Sequence, residues 1–330
     1  MRKLHIILSI VLLLGSCNSK KDHKRVYLDS NGRMNHLLIV MDNILWNGAS
    51  GAALKEVIMT PVLGMPQEEN QFDVSQVSRG SFGKMFKASR NVLIVAIDSI
   101  NDFQSRQNVY AKPQQVVKIT GINEEALVEM LQLYKNKMIT TFKDFDLQNI
   151  QKKHRKKSYP KARFKTLNDL GLEMIIPKFF KEVDDTGAFL WLRQHLSGGI
   201  AKGDGSSNIL IYSVPIPESK KGLVETISRM RDTIGKLYIP GRKEGMFMIT
   251  EKLYTPRVFQ TKMSDKICYA SYGKWEVLND FMAGPFLNYA IEDTKNNRWV
   301  VVEGFVYAPS VDKRDYMFEL ESIMKTLKIN

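Results

Sequence analysis

Short continuous apolar runs of strand length alternate with segments of helical periodicity along most of this 330-residue chain. The runs at 36–41 and 91–97 are rich in strand-forming residues and predict buried strands. Asn123 is a typical N-cap before a segment whose apolar residues recur at helical spacing. Two runs at 287–292 and 299–307 flank a turn and predict a hairpin. Because 44% of the residues are hydrophobic and 25% are charged, the chain can bury a globular core.

Both halves of the chain end in the same order of predicted elements, which is strand, strand and long amphipathic helix. We therefore predict an α+β fold in which antiparallel sheets pack against long amphipathic helices. The shared order also raises the interpretation that the two halves are similar subdomains. A run of basic residues interrupted by Pro160 separates the halves, so we place the first α+β unit at 34–160 and the second at 161–330.

The N-terminus has the composition of an export signal. Arg2 and Lys3 precede an apolar run at 6–14, which is too short to span a bilayer. The following residues, Leu14-Gly15-Ser16-Cys17, resemble the lipobox of bacterial lipoproteins. That resemblance implies cleavage after a 1–16 signal peptide and attachment of acyl chains such as palmitate to Cys17. The alternative is an ordinary signal peptide with an incidental cysteine.

Residues 17–33 are polar and predict a lipidated, flexible tether. Asn18 is not the aspartate that retains enteric lipoproteins in the inner membrane, so the resemblance favours a cell-envelope protein anchored to the outer membrane. Whether the body faces the periplasm or the exterior is left open.

Several short motifs are distributed over nearly the whole mature chain. In the first half they are Trp46 with Gly48 and Gly51, Pro66 with Glu68 and Glu69, Phe72, Phe86-Lys87 and 90–92. In the second half they are 238–241, Thr250-Glu251, 272–275, 282–286, 303–309 and Lys313-Arg314. Together they resemble a family of Bacteroidota lipoproteins filed as domain of unknown function 4837. The resemblance implies an envelope lipoprotein and implies no catalytic residues.

The chain is basic, with 48 Lys and Arg against 35 Asp and Glu, and the excess is concentrated at one place. This basic cluster consists of Lys152, Lys153, Arg155, Lys156, Lys157, Lys161, Arg163 and Lys165. It is interpreted either as a solvated connector or as a surface for anionic lipid or an acidic envelope polymer. Export from the cytoplasm argues against nucleic acid as the partner.

Glu303 interrupts an apolar strand and is the most informative ionisable residue, since a carboxylate on a buried face needs a partner. Arg242, Arg193 or Lys274 is the expected partner, and an edge strand with Glu303 in water or in a structural ion pair is the alternative. Aromatic residues on neighbouring predicted strands suggest either core packing or the wall of a pocket. The candidate pocket set is Glu303, Arg193, Trp191, Arg242, Trp275 and Tyr307.

No catalytic, cofactor-binding or metal-binding motif is recognisable. Two cysteines and five scattered histidines exclude a disulfide framework and a cysteine-rich zinc site, and Cys268 is predicted to be a buried apolar residue. We therefore expect no cofactor and a module that works by binding or assembly at the membrane. The alternatives are a hydrolase of envelope glycans or peptides, with Glu303 as acid or base beside Glu251 or Asp293, and a structural scaffold.

Overall fold

A computed structural model describes residues 27–196 and 205–330 of the chain. The helices of this part are α1 (Asn43–Asn47), α2 (Ala49–Ile58), α3 (Lys84–Lys87), α4 (Glu124–Leu133), α5 (Lys135–Arg155), α6 (Lys165–Asp169), α7 (Leu223–Tyr238) and α8 (Arg314–Met324). The strands of the first half are β1 (Leu28–Asp29), β2 (His36–Val40), β3 (Asp73–Val77), β4 (Asn91–Ile97), β5 (Asp102–Gln107), β6 (Ala111–Lys112) and β7 (Gln115–Gly121). Those of the second half are β8 (Leu172–Glu173), β9 (Lys181–Asp185), β10 (Phe189–Leu196), β11 (Gly205–Pro215), β12 (Met248–Thr250), β13 (Arg257–Met263), β14 (Lys266–Val277), β15 (Ala283–Asp293), β16 (Arg298–Tyr307) and β17 (Lys328–Ile329).

The first unit is built on a five-stranded sheet with the order β3-β2-β4-β7-β5. Three of its pairings are parallel, and only β5 runs antiparallel, to β7. The expectation of an antiparallel sheet is therefore wrong for this unit. The sequence feature that goes with the parallel arrangement is the continuous apolar run of β2. Its residues Leu37 to Val40 are all buried, because both faces of a parallel sheet are covered.

The second unit contains an eight-stranded antiparallel sheet with the order β12-β14-β15-β16-β11-β10-β9, and β13 also pairs with β14. The predicted hairpin is confirmed as β15 and β16, although both strands are longer than expected. Side chains alternate between two faces of this sheet. One face packs against α7, and the other packs against α6 and α8, so the central strands are buried on both sides.

The α+β class with two subdomains is confirmed. The helix predicted from Asn123 is two helices, because α4 ends at Leu133, Tyr134 caps it, and α5 begins at Lys135. The Asn123 side chain accepts a hydrogen bond from Ala126 N at 2.8 Å, as its N-cap position predicts. The glycine-rich segment at 198–207 also predicts a hairpin loop, and most of that segment lies outside the described residues.

The two units meet where α5 packs against α8. Glu69, in the loop between α2 and β3, accepts hydrogen bonds from the backbone N–H groups of Lys313 and Arg314 at 2.7–2.9 Å. These groups belong to the first turn of α8, where a carboxylate also suits the helix dipole. The guanidinium of Arg314 contacts Asp73 at 2.9 Å, so the first unit completes the N-terminal end of a second-unit helix.

The folded body begins earlier than the sequence predicts. The flexible tether was expected to continue to Arg33, but β1 at Leu28–Asp29 pairs with β6, and Asn31 N donates to the carbonyl of Ala88 at 2.8 Å. Backbone hydrogen bonds of this kind fix a polar segment that has little apolar surface to bury.

Candidate functional site

Five of the six residues in the candidate pocket set line one cavity of about 230 Å³ in the second unit. They are Trp191 and Arg193 on β10, Arg242 after α7, Trp275 on β14 and Tyr307 on β16. We call this cavity the aromatic pocket. Strand alternation explains the arrangement, because Trp191 and Arg193 are two residues apart and therefore lie on the same face of β10. Glu303, the sixth residue, does not line it.

The aromatic pocket contains a cation that no carboxylate neutralises within the described residues. Arg193 stacks over the ring of Trp191, with its guanidinium carbon 4.6 Å from the ring centroid. Its Nε donates to Asn208 Oδ1 at 3.2 Å, and Trp191 Nε1 donates to the same oxygen at 3.0 Å. Burial lowers the pKa of Arg193, but an arginine remains charged at neutral pH. The remaining guanidinium donors are consequently available to an anion.

Arg242 stands in a different environment at the same cavity. Its side chain is 69% exposed and lies 3.6 Å from Asp280. The pocket therefore has apolar aromatic walls and two cations. Arg193 is held in place by its neighbours, whereas Arg242 is solvated and already pairs with Asp280. This composition suits a small ligand with an apolar body and one anionic group.

Glu303 forms a buried ion pair with Arg231 of α7. Arg231 Nε and Nη2 donate to the two carboxylate oxygens at 2.7 Å each, and both side chains are 1% exposed. Arg231 Nη1 also donates to Thr250 Oγ1 at 2.6 Å, and its guanidinium carbon lies 3.4 Å from the Phe286 ring centroid. The expected partners, Arg242, Arg193 and Lys274, are wrong, because the sheet face that carries Glu303 is covered by α7.

The sequence analysis did not predict Arg231, because this residue lies on a helix that packs across the sheet and not on a strand next to Glu303. The available signal was its place in α7, four residues after Ile227 and three before Ile234, which are apolar residues of the buried face. An arginine at that helical position has to be buried with its face. Glu303 does share a face with Val301 and Phe305, as strand alternation predicts.

All eight residues of the basic cluster are exposed. Three of them have protein partners: Lys161 contacts Glu173 at 2.6 Å, Arg163 contacts Glu182 at 2.9 Å, and Lys165 Nζ donates to the carbonyl of Thr186. The other five occupy the last turn of α5 and the residues that follow it, and within the described part of the chain none has a salt bridge. These five are Lys152, Lys153, Arg155, Lys156 and Lys157.

The basic cluster lies at the same end of the first unit as the start of the folded body. Arg90 N donates to the carbonyl of Asn31 at 2.8 Å, and the Arg90 guanidinium lies 4.0 Å from Asp146 of α5. Lys152 follows Asp146 by six residues, which is about 9 Å along a helix. The chain therefore enters the body near the helix end that carries the unpaired lysines.

The structure describes one of the two cysteines, Cys268. Cys268 is confirmed as a buried residue of β14, and burial raises the pKa of its thiol to about 12. Cys17 and the predicted signal peptide lie outside the described residues. No helix of the described part is both long and apolar enough to cross a membrane.

Two family models match the chain, one in each unit. A family model described as domain of unknown function DUF4837 matches residues 159–326, which is half of the chain and nearly all of the second unit. The chain therefore belongs to the DUF4837 family, as the motifs of its second half predicted. A second model, domain of unknown function DUF8532, matches residues 30–155, which correspond to the first unit.

No curated protein matches the sequence. Among solved structures, the chain is similar to the Ran-binding protein Mog1p of Saccharomyces cerevisiae, with 8% identity and a TM-score of 0.32. A Mog1 point mutant gives 6% identity and a TM-score of 0.31. Each match covers 48% of this chain and 90% of the other. These values are too low to support a shared function.

Proposed function

We propose that this protein is a lipoprotein of the cell envelope, anchored through Cys17 to the outer membrane, that binds a small organic anion in the aromatic pocket. The anchoring half of the proposal rests on Leu14-Gly15-Ser16-Cys17, preceded by a basic and then an apolar segment. Acyl chains on one cysteine give stable membrane attachment when two or more are present. The binding half rests on one observation, the positioned and unneutralised guanidinium of Arg193 among aromatic walls.

Anchoring is tested by acyl labelling of the full chain in a bacterial host that exports lipoproteins. The Cys17→Ala variant is expected to incorporate no labelled palmitate and to leave the membrane fraction. Cys268→Ala is the matched control, because it removes the other thiol and is expected to label normally. Labelling of the Cys17→Ala chain at the wild-type level contradicts the anchor.

Ligand binding is tested by ligand-observed NMR with benzoate and phenyl phosphate as anionic probes and benzyl alcohol as an uncharged probe. We expect Arg193→Met to weaken binding of the anions roughly tenfold or more, the value of a charge-assisted hydrogen bond, with little effect on the alcohol. Arg229→Met changes an exposed arginine of α7 and is expected to bind like the wild type. Equal binding by Arg193→Met, or no binding of either anion to the wild type, contradicts the pocket.

The hydrolase alternative receives less support from the geometry. Glu303 has both oxygens bonded to Arg231 and does not open on the aromatic pocket. Asp293 pairs with Arg298 at the hairpin end, and Glu303 lies five residues further along β16, about 16 Å away at the rise of a strand. Paired glycosidase carboxylates lie within about 10 Å of each other. An acid and base role for Glu303 therefore has no partner in Asp293.

A second proposal concerns the five residues of the basic cluster that have no salt bridge within the described part of the chain, which we infer face the anionic membrane surface to which the chain is tethered. Five exposed cations without salt bridges within the described residues, at the end of the body where the chain enters, support it. Each is worth about 1 kcal/mol near an anionic surface. Replacing Lys152, Lys153, Lys156 and Lys157 by Gln is expected to reduce sedimentation with phosphatidylglycerol vesicles. Replacing the paired Lys161 and Arg163 is the control, and equal loss in both variants contradicts a specific surface.

A further inference from the structure

A cavity of about 290 Å³, which we call the interunit cavity, lies between the two units. One wall is a single face of α5, formed by Ile139, Lys143 and Leu147 at successive intervals of four residues. The facing wall is α8, which contributes Met317 and Phe318 among other residues. The lining is therefore mostly apolar, and it exists only because the units pack together.

Lys143 is the polar group that distinguishes this cavity. Its Nζ lies 5.1 Å from the ring centroid of Phe72 and 5.0 Å from that of Phe318, so the ammonium is held between two aromatic rings. Within the described residues, Nζ has no salt bridge and no hydrogen bond. A partly buried ammonium with two aromatic contacts and neither a salt bridge nor a hydrogen bond is an incompletely solvated cation.

Three of the other four charged residues that line the cavity, Arg314, Glu321 and Lys325, have salt-bridge partners, whereas the exposed Asp144 has none among the described residues. Glu321 contacts Lys325 at 2.7 Å and accepts a hydrogen bond from Tyr289 Oη at 3.0 Å. Arg314 contacts Asp73 at 2.9 Å and Asp315 at 3.0 Å. Lys143 is consequently the one cation lining the cavity, among the residues the structure describes, without an acidic partner.

We propose that the interunit cavity binds a single-chain amphipathic carboxylate, with the carboxylate on Lys143 Nζ and the alkyl chain along the apolar walls of α5 and α8. One unpaired ammonium matches one carboxylate, and the mainly apolar lining matches an unbranched chain better than a polar metabolite. This site is separate from the aromatic pocket, which shares none of its lining residues. The proposal does not depend on the lipid anchor or on Arg193.

The electrostatic surroundings of Lys143 agree with this assignment. Burial lowers the pKa of Lys143 to about 8, and Arg314 acts in the same direction. Three carboxylates oppose the shift, Glu321 and Asp315 on α8 and Asp146 on α5. Lys325 and Asp144 also line the cavity. Lys143 is therefore mainly protonated at pH 7, and a bound carboxylate would replace solvation that the protein does not supply.

The test uses decanoate as the probe and decanol as its uncharged counterpart, measured by calorimetry on the full chain at pH 7. We expect decanoate to bind the wild type with a Kd below about 1 mM. Lys143→Met keeps the aliphatic stem and removes the charge, and we expect it to weaken decanoate binding roughly tenfold or more while leaving decanol binding similar. Lys137→Met is the matched control, because Lys137 lies on the same helix with its Nζ 4.8 Å from the Phe103 ring centroid, outside the cavity.

A second measurement uses the unaltered chain and so does not depend on the stability of a variant. Amine-reactive labelling followed by peptide mass spectrometry gives the reaction rate of each lysine. We expect saturating decanoate to slow labelling of Lys143 at least several-fold and to leave Lys137 unchanged. Unchanged labelling of Lys143, failure of decanoate to bind, or equal decanoate affinity in the wild type and Lys143→Met overturns the proposal.

Discussion

The buried pair between Arg231 and Glu303 offers the sharpest test of how the second unit is held together. Arg231→Met removes both hydrogen bonds to Glu303 and the one to Thr250. It leaves the Glu303 carboxylate, 1% exposed, with Asn288 Nδ2 at 2.8 Å as its remaining side-chain donor. Removing one partner of a buried pair costs about 3–5 kcal/mol of unfolding free energy, since the remaining charge stays desolvated. We expect Arg231→Met to lose stability in this range.

The double variant Arg231→Met/Glu303→Gln separates charge from packing. It leaves no buried charge, so we expect it to recover at least half of the lost stability. Urea unfolding followed by tryptophan fluorescence is a suitable assay, because Trp191, Trp275 and Trp299 all belong to the second unit. If Arg231→Met loses less than about 1 kcal/mol, or if the double variant is no more stable than the single one, the electrostatic reasoning is refuted.

Four further outcomes follow from the packing. Glu69→Ala leaves buried N–H groups of α8 unpaired and is expected to cost about 2 kcal/mol, measured by urea unfolding, with faster hydrogen exchange in the first turn of that helix. Gly284→Ala places a Cβ 2.0 Å from the carbonyl oxygen of Val306 and is expected to lower the Tm clearly, whereas an unchanged Tm contradicts the close approach. Cys268, with its thiol pKa raised to about 12, is expected to resist iodoacetamide at pH 8 in the folded chain and to react in denaturant, as peptide mapping will show. The pKa of Lys143 is about 8 in the folded chain and 10.5 ordinarily, so the unfolded chain binds more protons between these two pH values. The free energy of unfolding is therefore expected to rise with pH in this range by about 1–3 kcal/mol, and Lys143→Met is expected to remove the rise.

Sequence patterns predicted the elements whose signals are local. The runs at β4 and at the β15–β16 hairpin carry their own hydrophobic pattern, and Asn123 marks its helix by capping chemistry. The continuous apolar run of β2 indicated a strand buried on both faces, but strand direction also depends on which strands become neighbours. Short polar edge strands such as β9 were missed because little of their surface is buried.

In the candidate sites too, the sequence predicted what depends on local patterns and did not predict what depends on distant residues. Strand alternation brought Trp191 and Arg193 to one face, and this local rule placed them correctly in relation to each other. The partner of Glu303 comes from a helix 72 residues earlier, and Lys143 acquires its surroundings from α8 of the other unit. Such long-range contacts depend on tertiary packing, which the hydrophobic periodicity of one sequence does not reveal.

The contact between Glu69 and the start of α8 also has a consequence for the timing of assembly. Glu69 and Lys313 are 244 residues apart, so the first unit cannot complete this contact until nearly the whole second unit has been synthesised. At 5–20 residues per second, the delay is roughly 10–50 s. During that interval the α5 face that later covers α8 has no partner.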